Sequence, residues 1–239
     1  MKKLKELNWE KFIFIFVMAS LIISTVFIGY KMIVAPATIE AGMEYARVKS
    51  DYTLMFFQCL LGIVAMVLPS IFEKRFKVII PSYMLILYVI FLYCAIFLGE
   101  VRSYYYTVNH WDTILHTFSG GMLGALGFSF VSLLNQSEKV PMNLSPLFVA
   151  IFAFCFAITL GVIWEIYEFT FDGVLGLNMQ KFMLEDGTQL IGRAALMDTM
   201  KDLIVDAAGA LVVSVIGYVS MKTQKDWLQK VQFKRAHLK

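Results

Sequence analysis

Charge is what this chain is short of. Asp, Glu, Lys and Arg make up 16% of its 239 residues against 59% hydrophobic ones, with a mean hydropathy of +0.70. That balance excludes an ordinary water-soluble globule and places the chain among membrane proteins. Cysteine and histidine are also scarce, at three each. Cys59, Cys94 and Cys155 all fall inside apolar runs, so the sequence holds neither a disulfide framework nor a paired-cysteine metal motif, and the three read as small buried hydrophobes. No low-complexity linker, soluble domain or internal repeat is evident, so residues 1–239 read as one integral membrane domain. The net charge of +3 does not indicate nucleic acid. The bases are divided among short segments that would lie against anionic lipid at the cytoplasmic face.

What is there in quantity is long apolar sequence. Runs long enough to cross a hydrocarbon core, about 20 residues at a 1.5 Å rise, cover roughly 12–30, 52–72, 78–98, 113–134, 147–169 and 201–221. The expected fold is therefore all-α, a polytopic bundle of six transmembrane helices. Lys and Arg gather at the N-terminus (Lys2, Lys3, Lys5, Lys11), between spans two and three (Lys74, Arg75, Lys77) and in the tail (Lys222, Lys225, Lys230, Lys234, Arg235, Lys239). The positive-inside rule makes these segments, and both termini, cytoplasmic. The alternate loops carry fewer bases: Lys31, Arg47, Lys49, Arg102, Lys181 and Arg193. Trp9 and Trp227 then flank inner ends, and Trp111 and Trp164 outer ends, as interfacial rings do. The first span follows Lys2 and Lys3 as a secretory signal would, but its apolar run is too long for one. The chain divides into residues 1–77, carrying two helices; 78–221, carrying four helices and the polar groups; and a basic tail, 222–239.

Those polar groups lie near one end of three spans, and the alternation puts all three ends on the outer face. In the fourth span Asp112, His116, Gly120 and Gly124 recur every four residues, and Gly127 extends the same stripe. In the fifth, Ala157, Gly161, Glu165, Glu168 and Asp172 share a face. In the sixth, Asp198, Asp202 and Asp206 form an i, i+4 ladder, with Gly209 seven residues beyond Asp202. Small residues let helix backbones approach closely in membranes, so each glycine stripe leads into carboxylates. From Asp206 to Met221 the apolar run covers only about 22 Å, shorter than a core of about 30 Å, so Asp206 and Asp202 lie within or at the edge of the hydrocarbon.

Packing the three stripes together would bring eight polar side chains into one chamber, seven of them carboxylates. Lys201 points about 100° away from Asp202, and Arg193 lies in the preceding loop. Divalent cations, shared protons or a cationic substrate would supply the compensation. Metal is the favoured answer, because His and carboxylates on facing helices hold di-metal centres in helix bundles. The expected ligands are His116, Glu165, Glu168, Asp198 and Asp202, with Asp112, His116 and Asp206 in catalytic positions. Mixed oxygen and nitrogen donors suit Mn, Zn or Fe, or Mg with water completing the shell. Plainer readings stand beside this one: Asp112 and Asp198 as helix N-cap acids, His116 as an interfacial histidine, and His110 beside Tyr104-Tyr105-Tyr106 as interface decoration. His237 belongs to the tail.

The combination of Asp112-x-x-x-His116, Trp164-Glu165-x-x-Glu168, Gly187-Thr188-Gln189 and Asp198-Thr199-x-x-Asp202 with Gly209-Ala210 resembles the YjdF-like family of small bacterial inner-membrane proteins. More distantly it is similar to VanZ-like membrane proteins. The resemblance covers about residues 78–215 and implies six spans, a bacterial plasma membrane location and an important acid-His set, with the cell envelope as context. Two departures stand out: a longer spacing from Gly187-Thr188-Gln189 to Asp198, and Met197 where an aromatic residue is expected. The Asp198, Asp202, Asp206 ladder shares only its chemistry with the Asp-rich helices of intramembrane phosphotransferases.

An outward-facing site has no access to cytosolic nucleotides. The sequence therefore favours a metal-dependent hydrolase or transferase acting on a membrane lipid or lipid-linked envelope substrate, with Asp112 orienting His116 or itself ligating. A divalent-cation or proton-coupled transporter is the alternative, as is a non-catalytic membrane protein whose ion cluster locks three helices together. The outer connection from Asp172 to Met197 reads as interfacial cover.

Overall fold

The computed structural model describes residues 8–37, 47–135, 144–184, 188–223 and 232–235. Lys2, Lys3, Lys5, Glu185, Asp186, Gly187, Lys225, Trp227, Lys230, His237 and Lys239 lie outside the described residues. Among the described residues six helices are long and apolar enough to cross a membrane: α1 (Trp9–Val34), α2 (Lys49–Phe76), α3 (Ser82–Leu92, running on as a π-helical stretch Tyr93–Val101), α5 (Trp111–Asn135), α6 (Pro146–Leu175) and α7 (Arg193–Lys222). A single turn, α4, covers Tyr104–Thr107. The fold is the expected six-span helical membrane bundle. Its contacts divide it into two units, Met1–Asn109 and His110–Lys239, so the third span groups with the first two.

In the first unit, Asn8 caps α1 by accepting from the Lys11 N–H at 3.1 Å, which satisfies one of the donors a helix start leaves open. Asp51 does the same work at the start of α2, accepting from Val48 N–H at 2.8 Å. Val17, Leu21 and Ile28 of α1, Met55, Cys59 and Met66 of α2, and Val89, Leu92 and Ile96 of α3 make the common core. Between apolar helices in lipid this contact is chiefly van der Waals packing, since hydrocarbon is as apolar as leucine. Pro69, inside α2, removes the N–H that would have bonded the Ala65 carbonyl. The Tyr88 hydroxyl of α3 donates to that carbonyl at 3.0 Å, so the break in the ladder is mended from a neighbouring helix.

In the second unit α5, α6 and α7 all pack on one another. α6 starts with Pro146 in its first turn and Ser145 accepting from Phe148 N–H at 3.3 Å. It ends at Gly176, whose φ of +66° is the left-handed conformation that closes helices. Glycine sets the separation of α5 and α7. A Cβ on Gly120 would lie 2.2 Å from the Asp206 carbonyl oxygen, and one on Gly209 would lie 2.0 Å from the Thr117 carbonyl oxygen. Lower in the unit, Gly127 faces the Ala153 backbone, and Gly217 receives the ring of the fully buried Phe128. Among the described residues no cysteine forms a disulfide; Cys59 is buried and Cys155 is exposed on the outside of α6.

Candidate metal centre

The first turns of α5, the last turns of α6 and the first four turns of α7 meet at one end of the second unit. The face of α6 that reads as Ala157, Gly161, Glu165, Glu168 and Asp172 is buried throughout, as are Asp202, Asp206 and Gly209 of α7. At the centre is the imidazole of His116. Its Nε2 lies 3.7 Å from Asp112 Oδ1 and 4.0 Å from Asp202 Oδ2. Its Nδ1 lies 3.3 Å from Asp206 Oδ2. Ser119, one turn along α5, donates to the other Asp206 oxygen at 2.9 Å, so the carboxylate is held from two sides.

This arrangement separates the two ring nitrogens by role. Nδ1 is engaged by a carboxylate that Ser119 also holds, and Nε2 faces Asp112 and Asp202. Metal-bound histidines use the same device, a carboxylate behind the ring orienting it and raising its basicity. Asp206, expected in a catalytic position, occupies this orienting place. Asp112, expected to orient the ring or itself to ligate, lies on the Nε2 side.

One ligand atom from each of Asp112, His116 and Asp202 lies within 4.8 Å of the others. Bonds of 2.0–2.2 Å to a common ion would set donors roughly 3.0–3.5 Å apart, so shifts of roughly 0.2–1 Å draw the Nε2 contacts into a ligand sphere. Two further observations fit a cation here. Asp202 Oδ1 and both Glu165 oxygens are buried without a hydrogen-bond partner among the described residues, in side chains only 2% and 5% exposed. The Gln180 amide, which donates to the Thr199 hydroxyl at 2.8 Å, and that hydroxyl both face Glu165 from beyond hydrogen-bond distance. Buried carboxylate oxygens left unpaired are costly.

The remaining expected residues have other partners. Glu168 accepts from the Trp164 indole N–H at 2.9 Å, so Trp164 supports the cluster rather than only marking the interface. It still faces Glu165, His116, Asp112 and Asp202 electrostatically. Asp198, expected among the ligands, is held by the Lys181 ammonium at 3.2 Å. Asp172 stands apart: its carboxylate accepts from the backbone N–H groups of Met179 and Gln180, at 2.7 and 3.0 Å.

Lys181 is the residue that sequence reasoning missed. It comes from the connection between α6 and α7 and bridges Asp112 and Asp198. Burial works against its charge, but the Asp112 and Asp198 carboxylates outweigh that and hold the ammonium well above the usual lysine range. The signal available was its being the one base within ten residues of Asp172 on the outer connection. With Lys181 counted, the carboxylates of Asp112, Glu165, Glu168, Asp198, Asp202 and Asp206 still outnumber the nearby cationic groups.

The chain belongs to the family described as Predicted membrane protein (DUF2238), which matches residues 15–223 and is consistent with the YjdF-like resemblance. An uncharacterized protein of Thermotoga maritima is 27% identical over 189 residues, covering 79% of this chain and 88% of that protein. No solved structure matches.

Proposed function

We propose that the Asp112, His116 and Asp202 cluster binds a divalent metal ion, and that the protein is a membrane-embedded hydrolase or transferase acting on a lipid or lipid-linked substrate. The observation that carries this reading is the division of His116: Nδ1 is occupied by Asp206, and Nε2 is aimed between two carboxylates. Glu165 and Glu168, on α6, complete an oxygen-rich wall suited to Mn or Mg, with the imidazole also admitting Zn or Fe. When bound, such an ion polarises a phosphoryl or carbonyl oxygen and acidifies water. The chain's own contribution is to fix His116 through Asp206 and Ser119, and to keep the carboxylates in a part of the bundle where water does not screen them.

The basic segments at the start of α1 and the ends of α2 and α7 support cytoplasmic termini in a bacterial plasma membrane, with the centre toward the outer leaflet and a substrate drawn from the envelope. Single-cysteine labelling from outside the cell, at position 181 against position 222, tests that orientation. Reaction at 222 alone would reverse it.

The metal reading is tested on protein purified in detergent, by mass-spectrometric metal content of the wild type and of Asp202→Asn, Glu165→Gln and His116→Ala. Metal in the wild type and its loss from the His116 and Asp202 variants is expected; equal content in all four proteins would refute ligation. With metal established, turnover of labelled envelope phospholipids or lipid-linked phosphates by protein in liposomes supports the enzyme. Metal-dependent ion flux without turnover would transfer the site to a carrier.

A further inference from the structure

The connection between α6 and α7 is organised around one ammonium group. Asp172 fixes its start by accepting from Met179 and Gln180 N–H. The Asn178 side chain then closes the next turn, donating to the Met183 carbonyl at 2.7 Å and accepting from the Met183 N–H at 3.0 Å. The Gln180 amide ties the segment to Thr199 of α7. Leu184 N–H and Leu190 N–H bond back across the segment to Thr188 and Phe182. Lys181, in the middle, takes a φ of +48°, a left-handed conformation that side-chain-bearing residues adopt infrequently. So constrained, its ammonium lies between Asp112 Oδ2 and Asp198 Oδ1.

Asp112 therefore faces two ways. One oxygen looks toward His116 Nε2 at 3.7 Å, and the other meets the ammonium. Asp112 thus lies between the proposed metal position and an ammonium, as a bridging carboxylate lies between paired ions in two-metal sites. A second, independent observation is that Asp202, 98% buried, has an oxygen with no hydrogen-bond partner among the described residues, and its electrostatic neighbours include Asp112, Asp198 and Lys181. Glu165, 95% buried and likewise unpartnered, has His116 and Asp198 among its neighbours.

We infer that Lys181 Nζ occupies the second cation position of a two-cation centre, bounded by Asp112 and Asp198, and that this position accepts an oxygen-preferring divalent ion, Mn²⁺ or Mg²⁺, when the ammonium is removed. This rests on the first position, at Asp112, His116 and Asp202, being the metal site proposed above. The native centre then holds one metal ion and one protein cation. Asp198 belongs to the second position, which is why it stands with Lys181 and not with His116. Asp112 and Asp198 offer that position carboxylate oxygens, the hard donors that Mn²⁺ and Mg²⁺ take in preference to softer ions.

The experiment is Mn²⁺ equilibrium binding to full-length protein in detergent, with ions per chain read by mass spectrometry and electron paramagnetic resonance on the same samples. One ion is expected in the wild type and in Lys181→Arg, and two in Lys181→Met, with an exchange-coupled spectrum because Asp112 bridges them. One ion in Lys181→Met, at unchanged affinity, overturns the inference and leaves the metal reading intact. No ion in the wild type but one in Lys181→Met supports the second position and overturns the first. No ion in either overturns both. Should Lys181→Met be too unstable to purify without metal, Mn²⁺ must restore its melting transition, and must do so less in Lys181→Met/Asp198→Asn. Absence of rescue, or equal rescue in both, overturns the inference.

Discussion

The contact of α5 with α7 is the point at which the centre is most easily broken without touching a polar residue. Gly120→Ala and Gly209→Ala each place a methyl group against a backbone carbonyl, at 2.2 and 2.0 Å, where an ordinary contact begins near 3.4 Å. In the native pair the glycine hydrogen points at that oxygen, the arrangement of a weak Cα–H···O bond. No rotamer change relieves the clash, because both partners are main chain, so the helices must separate by more than about 1 Å. Overpacking of this kind costs about 1–3 kcal/mol, with backbone against backbone at the upper end. Replacing a helical glycine by alanine returns at most about 1 kcal/mol. The net expectation is roughly 2 kcal/mol lost for each variant, or a melting point lower by about 4–8 °C for a chain of this size. The control is Gly173→Ala in α6, where an added Cβ meets nothing within 4 Å; it should be neutral or stabilising by up to about 1 kcal/mol. Thermal unfolding in detergent followed by tryptophan fluorescence reads all three. The same separation moves Asp206 from His116, so the glycine variants should also lose metal affinity. Gly120→Ala and Gly209→Ala both melting at or above the wild type would refute the close approach, and with it the shared chamber.

Glu165→Gln removes a buried charge whose oxygens lack partners. The metal-free protein should become more stable by about 1–3 kcal/mol, while the rise in melting temperature on adding Mn²⁺ should shrink; a less stable apoprotein with the full Mn²⁺ shift would separate Glu165 from the centre. Tyr88→Phe leaves the Ala65 carbonyl unsatisfied and should cost about 1–3 kcal/mol. In a Pro69→Ala background, where the helix again supplies an N–H, the cost should fall below about 1 kcal/mol, and an undiminished cost would show that Tyr88 serves some other purpose. Asp172→Asn weakens two charge-assisted bonds to the loop backbone, worth about 1.5–3 kcal/mol each. Protease cleavage within residues 176–192 should accelerate in that variant, with unchanged cleavage counting against the clamp.

The six spans were legible because apolarity over about 20 residues has few other meanings, but apolarity marks the hydrocarbon and not the helix. The fifth apolar run stops near residue 169 and the sixth starts near 201, and the polar faces read on those helices reach Asp172 and Asp198, whereas α6 runs to Leu175 and α7 begins at Arg193. The boundary signals were two positive-φ glycines, Gly176 in the left-handed conformation at the end of α6 and Gly192 just before α7, whose backbone shape hydropathy does not report. The π-helical turn of α3 left no trace in composition, and neither did the mending of Pro69 by Tyr88, since both depend on a neighbouring helix.

Periodicity also explains which parts of the centre could be read. Residues four apart on a helix share a face whatever surrounds them, so the alignment of His116 with Gly120, and of Glu165 with Gly161, follows from spacing alone. Asp172 lies on the same face as Glu168, yet its oxygens turn back to the loop, because a helix end offers a carboxylate two environments and the sequence specifies neither. Lys181 is separated from Asp112 by 69 positions, and no local pattern ties them. Its part depends on the loop that Asp172 and Asn178 shape. A carboxylate outside the cluster thus determines how much of the cluster's charge the protein neutralises itself, and how much remains for an ion.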